Sequence, residues 1–223
     1  DSLMTTWQGR PCETDLLATD GHGNLVTSNF LPHTCSLYRR EGDRLARVRE
    51  LAYDAGHFVH GVKFHTPWTV AVTSRAARGG VHFFDLETGA FRCLLPAPGI
   101  CVQDVCFLGT GRMVVLSTLD HPGHEAGTIY DSVVQLVDFD PLAQRFRALA
   151  RRDFSAVHLD SVVEEAGRLY ITDQYNDRVL VLAARDLSDI EVLGGFDFPH
   201  GIAVREGLLA VSNYGSNTIE LRE

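Results

Sequence analysis

The feature that most constrains this chain is a unit that recurs along its whole length. Each copy opens on a polar residue followed by a short apolar strand, turns, and returns as a second apolar strand ending on a polar residue. The copies begin at Asp15, His60, Gln103, Asp160 and His200, at intervals of 45, 43, 57 and 40 residues. Their second segments end at Asn29, Ser74, Ser117, Asp173 and Asn213. A third apolar segment follows in every copy, at Ser36–Arg39, Val81–Phe84, Val133–Val137, Val179–Leu182 and Asn217–Leu221. Four copies add a fourth, at Arg47–Leu51, Phe91–Leu94, Phe146–Leu149 and Ile190–Leu193. Gly, Pro, Asp and Asn gather at the joints, where hairpin turns need them.

A period near 40 to 45 residues with four short strands per unit is the pattern of a β-propeller. The expected fold is therefore all-β: one domain of five four-stranded antiparallel blades, over about 14–53, 59–96, 102–152, 158–195 and 199–223 plus 2–8. The fifth copy stops after three strands at Glu223. Ser2–Trp7 has no other role, so the N-terminal strand is expected to complete that blade and close the ring, removing two exposed edges. The extra length of the third copy lies mostly in Thr118–Tyr130.

Charge narrows the function. Affinity for nucleic acid rests largely on Lys and Arg neutralising phosphates, and 29 acidic against 20 basic residues leave a net charge of -9, so a general nucleic-acid binder is disfavoured. No run of about 18 apolar residues exists to span a membrane. No signal peptide is visible, and the chain starts at Asp1 rather than Met, which leaves open a trimmed export signal. The cysteines Cys12, Cys35, Cys93, Cys101 and Cys106 are odd in number and lack paired C-x-x-C spacing. Cys93, Cys101 and Cys106 sit among apolar residues and read as core thiols of a reducing, cytoplasmic setting.

In a propeller the first strand of each blade lines the axis, so equivalent residues form a circle at its mouth. That circle is Asp15, His60, Gln103, Asp160 and His200: two carboxylates, two imidazoles and a carboxamide. Converging carboxylates repel, and a cation relieves that repulsion. Mixed imidazole and carboxylate donors suit a divalent zinc, manganese or iron better than calcium. Asp15, His60, Asp160 and His200 are thus metal-ligand candidates; the alternative is a polar mouth filled with water.

Second strands return to the same face. Asn29, Asp173 and Asn213, with Arg75, Tyr175 and Tyr214 from the loops beyond and Gln103 from the inner circle, are candidates to hold a small-molecule substrate. Arg75 is the natural anion clamp. The same Asn and Asp residues serve equally well to satisfy turn amides. His121 and His124 lie in the long loop of the third copy, a candidate lid carrying a general base, or a solvated extension. His57 and His158 precede first strands and are further catalytic candidates.

Leu169–Leu182 (LYITDQYNDRVLVL) resembles the repeat of NHL proteins, with Asp177 where that motif carries His. Phe198–Val204 (FPHGIAV) and Leu209–Ile219 resemble the flanking segments of such a repeat. The chain is also similar to the gluconolactonase and senescence-marker (SMP-30) propellers. That second resemblance implies metal ligands at the start of the first strands, with Asp160 and His200 in two of those places, although His is not the residue that group uses there.

No nucleophile elbow, phosphate-binding loop or His-Glu-x-x-His helix is present. The function expected is a metal-dependent enzyme acting on a small polar molecule at the axial mouth, by lactonase- or esterase-like hydrolysis or a related isomerisation. A non-catalytic protein- or carbohydrate-binding propeller is the alternative. A glycosidase using Asp15 and Asp160 ranks third, because interposed histidines suit ligation better than the paired carboxyls such enzymes need.

Overall fold

The computed structural model describes residues 4–7, 10–31, 34–51, 59–74, 80–96, 101–109, 111–119 and 131–223, without the side chains of 4–15, 30, 31 and 96. It is a five-bladed β-propeller, as the repeat requires. The N-terminal strand β1 (Met4–Trp7) comes first. The first blade is β2 (Arg10–Thr19), β3 (Asn24–Leu31), β4 (Thr34–Glu41) and β5 (Arg44–Leu51). The second is β6 (Val59–Thr66), β7 (Thr69–Ser74), β8 (Gly80–Asp85) and β9 (Phe91–Pro96). The third is β10 (Cys101–Phe107), β11 (Arg112–Leu119), β12 (Asp131–Asp140) and β13 (Arg145–Phe154). The fourth is β14 (Leu159–Glu165), β15 (Arg168–Asp173), β16 (Arg178–Ala183) and β17 (Asp189–Gly194). The fifth is β18 (Pro199–Arg205), β19 (Leu208–Asn213) and β20 (Thr218–Arg222). Among the described residues no helix is long and apolar enough to cross a membrane.

One expectation is corrected. Met4–Trp7 of β1 does not complete the fifth blade; it pairs antiparallel with β2, Met4 opposite Glu13 and Trp7 opposite Arg10, and among the described residues the fifth sheet has three strands. Only Gln8 and Gly9 separate β1 from β2 in sequence. Closing so short a connection costs far less chain entropy than bringing the terminus to a blade encoded some 200 residues later.

Blades stack face to face, so a central strand is covered on both sides and reads as an unbroken apolar run instead of alternating. β11 shows how: Met113 and Val115 enter a cluster with Phe83, Leu95, Val105 and Val137 toward the second blade. Val114 and Leu116, the residues between, enter another with Leu159, Ile171 and Leu182 toward the fourth. Further clusters join blades one and two (Val26, Leu37, Val62, Val70) and blades four and five (Val179, Phe196, Ile202, Val211). A fully buried aliphatic side chain contributes roughly 1.5–3 kcal/mol, whereas an exposed ion pair such as Arg151–Asp153 contributes about 0–1 kcal/mol. The clusters therefore hold the blades together. Among the described residues no such cluster joins blade five to blade one, and Leu17, Ile219 and Leu221 there are 59%, 73% and 62% exposed.

Of the expected core thiols, Cys93 is buried and Cys101 and Cys106 are half-buried. Burial pushes the Cys106 thiol up to about 12.

The inner strands crowd the axis most tightly at Gly61 of β6. A methyl carbon there would lie 2.5 Å from Asp104 Oδ1 and 2.8 Å from both the Gln103 carbonyl and Thr73 Oγ1. At the matching Gly201 of β18 the nearest atom would be Ser212 Oγ at 3.0 Å. Gly61→Ala is therefore expected to lower stability by about 1–3 kcal/mol and Gly201→Ala by clearly less. Equal losses in thermal unfolding would show that the crowding at Gly61 is absent.

Candidate metal centre at the axis

All five inner strands break register at the same point. The breaks fall between Thr14 and Leu17, Val59 and Val62, Val102 and Asp104, Leu159 and Val162, and Pro199 and Ile202. Each break contains a residue of the circle read from the sequence: Asp15, His60, Gln103, Asp160 or His200. A bulge takes extra residues out of the ladder and re-aims a side chain. Here it places the axial residues.

A bulge also orphans a backbone N–H, which costs about 1–3 kcal/mol if buried without a partner. Four blades supply that partner from the second strand. Leu16 N donates to Ser28 Oγ (2.9 Å), Gly61 N to Thr73 Oγ1 (2.7 Å), Ser161 N to Thr172 Oγ1 (2.9 Å) and Gly201 N to Ser212 Oγ (2.8 Å). Two of these hydroxyls bond onward to the next blade: Thr73 Oγ1 to the Gln103 carbonyl at 2.8 Å and Thr172 Oγ1 to the His200 carbonyl at 2.9 Å. The third blade has Leu116 in this place and a narrower break. Its Asp104 instead reaches across to blade four, accepting from Ser161 Oγ (3.1 Å) and Val162 N (3.0 Å), and pairs with Lys63 Nζ of blade two at 3.0 Å. Burial raises the Asp104 carboxyl above the usual range, and Lys63 opposes that shift.

The bulges bring His60, Asp160 and His200 together from blades two, four and five. One ligand atom from each lies within 4.8 Å of the others. His60 Nε2 is 3.4 Å from Asp160 Oδ1 and His200 Nε2 is 3.1 Å from Asp160 Oδ2. Ligands at ~2.1 Å on a tetrahedral ion lie about 3.4 Å apart, so the spacing suits a small divalent cation. His60 and Asp160 are fully buried, while the His200 side chain is 20% exposed and faces the mouth. His60 Nδ1 lies 2.6 Å from the Gln103 carbonyl. A carbonyl only accepts, so Nδ1 carries a proton and Nε2 is the ring nitrogen turned toward Asp160.

His158 places Nε2 3.5 Å from Asp160 Oδ1, giving one carboxylate three imidazole neighbours. The Gln103 carboxamide turns away and donates to Thr118 Oγ1 at 2.7 Å; its backbone carbonyl is what enters the cluster. Asn29 donates to Thr34 and Ser36 within its own blade. Asp173 accepts from Asn176, Arg178 (2.8 Å) and the His158 amide (3.2 Å). Asn213 accepts from the Asp197 amide. These three are buried and engaged in turn contacts, unlike Tyr175 and Tyr214, which are 43% and 68% exposed beside the cluster. The side chain of Asp15 and the candidates His57, Arg75, His121 and His124 lie outside the described residues.

The bonding hydroxyls were not among the expected site residues, yet a signal existed. In four of the five copies a Ser or Thr immediately precedes the polar residue ending the second strand: Ser28, Thr73, Thr172 and Ser212.

No family model matches the sequence, and no curated protein matches it. Solved structures do match. The Dos1 propeller superposes with a TM-score of 0.63 at 10% identity over 96% of this chain and 60% of its own. Kuenenia stuttgartiensis hydrazine synthase gives 0.69 at 14% identity over 94% and 64%. A protein from Lactobacillus plantarum gives 0.68 at 15% identity over 96% and 71%. The chain spans less than two thirds of the first two. At such identities these likenesses establish the propeller fold and no shared chemistry.

Thr172→Val keeps the volume and removes the hydroxyl that serves both Ser161 N and the His200 carbonyl. A loss of about 1–3 kcal/mol is expected. Unchanged urea unfolding would show that the bulge at Asp160 is not held this way.

Proposed function

We propose that this propeller is a metal-dependent enzyme acting on a small polar molecule at the axial mouth, by hydrolysis of a lactone or ester or a related isomerisation. The observation that supports it is the meeting of His60, Asp160 and His200 from three separate blades, each placed by a bulge in an inner strand. His60 Nε2, the Asp160 carboxylate and His200 Nε2 would hold the ion, and the donor set favours zinc, manganese or iron over calcium. Such an ion polarises a carbonyl or lowers the pKa of water.

The protein's own groups account for the rest. The Gln103 carbonyl holds the His60 tautomer, and Thr172 fixes the backbone that carries His200. His158, 3.5 Å from Asp160, is placed to take a proton from water or a substrate oxygen at the mouth and return it to the leaving group. Full burial of Asp160 and His60 keeps bulk water from the inner donors.

A non-catalytic role is the second reading. Tyr175 and Tyr214 present aromatic surface on the same face, and Tyr is favoured where proteins meet partners.

Elemental analysis of protein purified without chelator or a His tag is expected to find about one equivalent of a transition metal, lost in both Asp160→Ala and His200→Ala. Hydrolysis of simple lactones or esters should disappear with it, by at least about 100-fold if the ion polarises the carbonyl. Metal-free wild-type protein, even after soaking with zinc, manganese and calcium, would leave the binding role as the better reading.

A further inference from the structure

The strand β6 breaks register twice. Its first break carries His60 to the axis. The second lies at the other end, between Phe64 and Thr66, and leaves His65 with no residue opposite it on β7. The other four inner strands pair without a break at that end. Five residues of strand at roughly 3.3 Å each put His65 about 16 Å from His60, on the opposite face of the propeller. A bulge re-aims a side chain, and this one aims an imidazole away from the axial cluster.

What it aims that imidazole into is aromatic. Phe107, Phe139 and Phe83 stand around the ring at centroid distances of 4.9, 5.1 and 5.5 Å. Phe83 and Phe139 belong to the apolar cluster between blades two and three, so His65 is a polar group set into the end of that cluster. Among the described residues its ring nitrogens have no hydrogen-bond partner. Burial lowers its pKa below the ordinary value, so at neutral pH the ring is uncharged, with one N–H and one lone pair to satisfy. A half-buried imidazole left in that state is costly, and leucine would cap the cluster without the cost.

His65 borders a cavity of about 860 Å³ between the β6–β7 and β12–β13 turns, within the range of about 300–1,000 Å³ typical of small-molecule sites. Phe83 and Phe139 line it, and Trp68 and Leu142 stand at its rim, 67% and 84% exposed. The charges there are balanced, because Arg92 pairs with Asp85 and Arg145 with Asp140. A charged ligand would therefore meet no net opposite charge and would lose hydration against the phenylalanines. A pure hydrocarbon would leave His65 unsatisfied. An aromatic ring carrying a hydroxyl avoids both penalties: its carbon packs on the rings, and its oxygen both donates and accepts, as a neutral imidazole does.

We infer that this far-face cavity is a second ligand site, for a small phenol-type molecule whose hydroxyl bonds His65 and whose ring packs against Phe83, Phe139 and Trp68. It shares no residue with the axial cluster and does not rest on the proposed enzyme. The test is ligand-observed NMR titration with p-cresol and toluene, beside 4-methylbenzoate and 4-methylbenzylamine as charged comparators. p-Cresol should bind the wild type. In His65→Leu its affinity should fall about fivefold or more relative to that of toluene, whose continued binding reports that the cavity is intact. Trp68→Ala, at an exposed position, should weaken both neutral compounds. Asp160→Ala should weaken neither. The site is overturned if p-cresol does not bind, if only the charged compounds bind, or if His65→Leu leaves the ratio of p-cresol to toluene affinity unchanged. Loss of both neutral compounds alike in His65→Leu would make His65 a packing residue, and overturns the assignment as well.

Discussion

The structure depends on how a bulge in the innermost strand of each blade is satisfied. Five strands converging on one axis leave little room, and the bulge that turns a polar side chain inward also removes a backbone amide from its ladder. Ser28, Thr73, Thr172 and Ser212 answer that amide from the neighbouring strand. Each hydroxyl accepts one bond and donates another, so a single oxygen bonds to the bulge and, at Thr73 and Thr172, to the next blade as well. All four side chains thus hold an axial bulge, and two of them also tie one blade to the next.

The third blade shows what happens when the pattern lapses. Leu116 cannot bond, the register break narrows, and Asp104 takes over the contact between blades by accepting from the Ser161 hydroxyl and the Val162 amide. A buried carboxylate doing this is costly unless charge and hydrogen bonds compensate, and Lys63 supplies the charge. The bulge that carries Asp160 is therefore held from both sides, by Thr172 of its own blade and Asp104 of the one before.

Much of this was legible from the residues alone. Blade number follows from the repeat because each blade is one hairpin-connected unit with turn residues at its joints. The axial circle follows from position within the repeat, and His60, Asp160 and His200 stand out in it by residue type. What escaped has physical reasons. Met4–Trp7 pairs with the strand that follows it two residues later, a local hairpin that edge satisfaction alone does not weigh. Asn29, Asp173 and Asn213 carry two meanings in sequence, because a polar residue at a strand end looks the same whether it serves a ligand or its own turn.

Four of the five junctions between blades are sealed by apolar side chains, and among the described residues the junction of the fifth blade with the first is not. His60 and His200 come from blades two and five, with their rings 5.8 Å apart. These blades are not neighbours in the ring, so anything that bound both histidines at once would crosslink the propeller across its axis as well as around its rim.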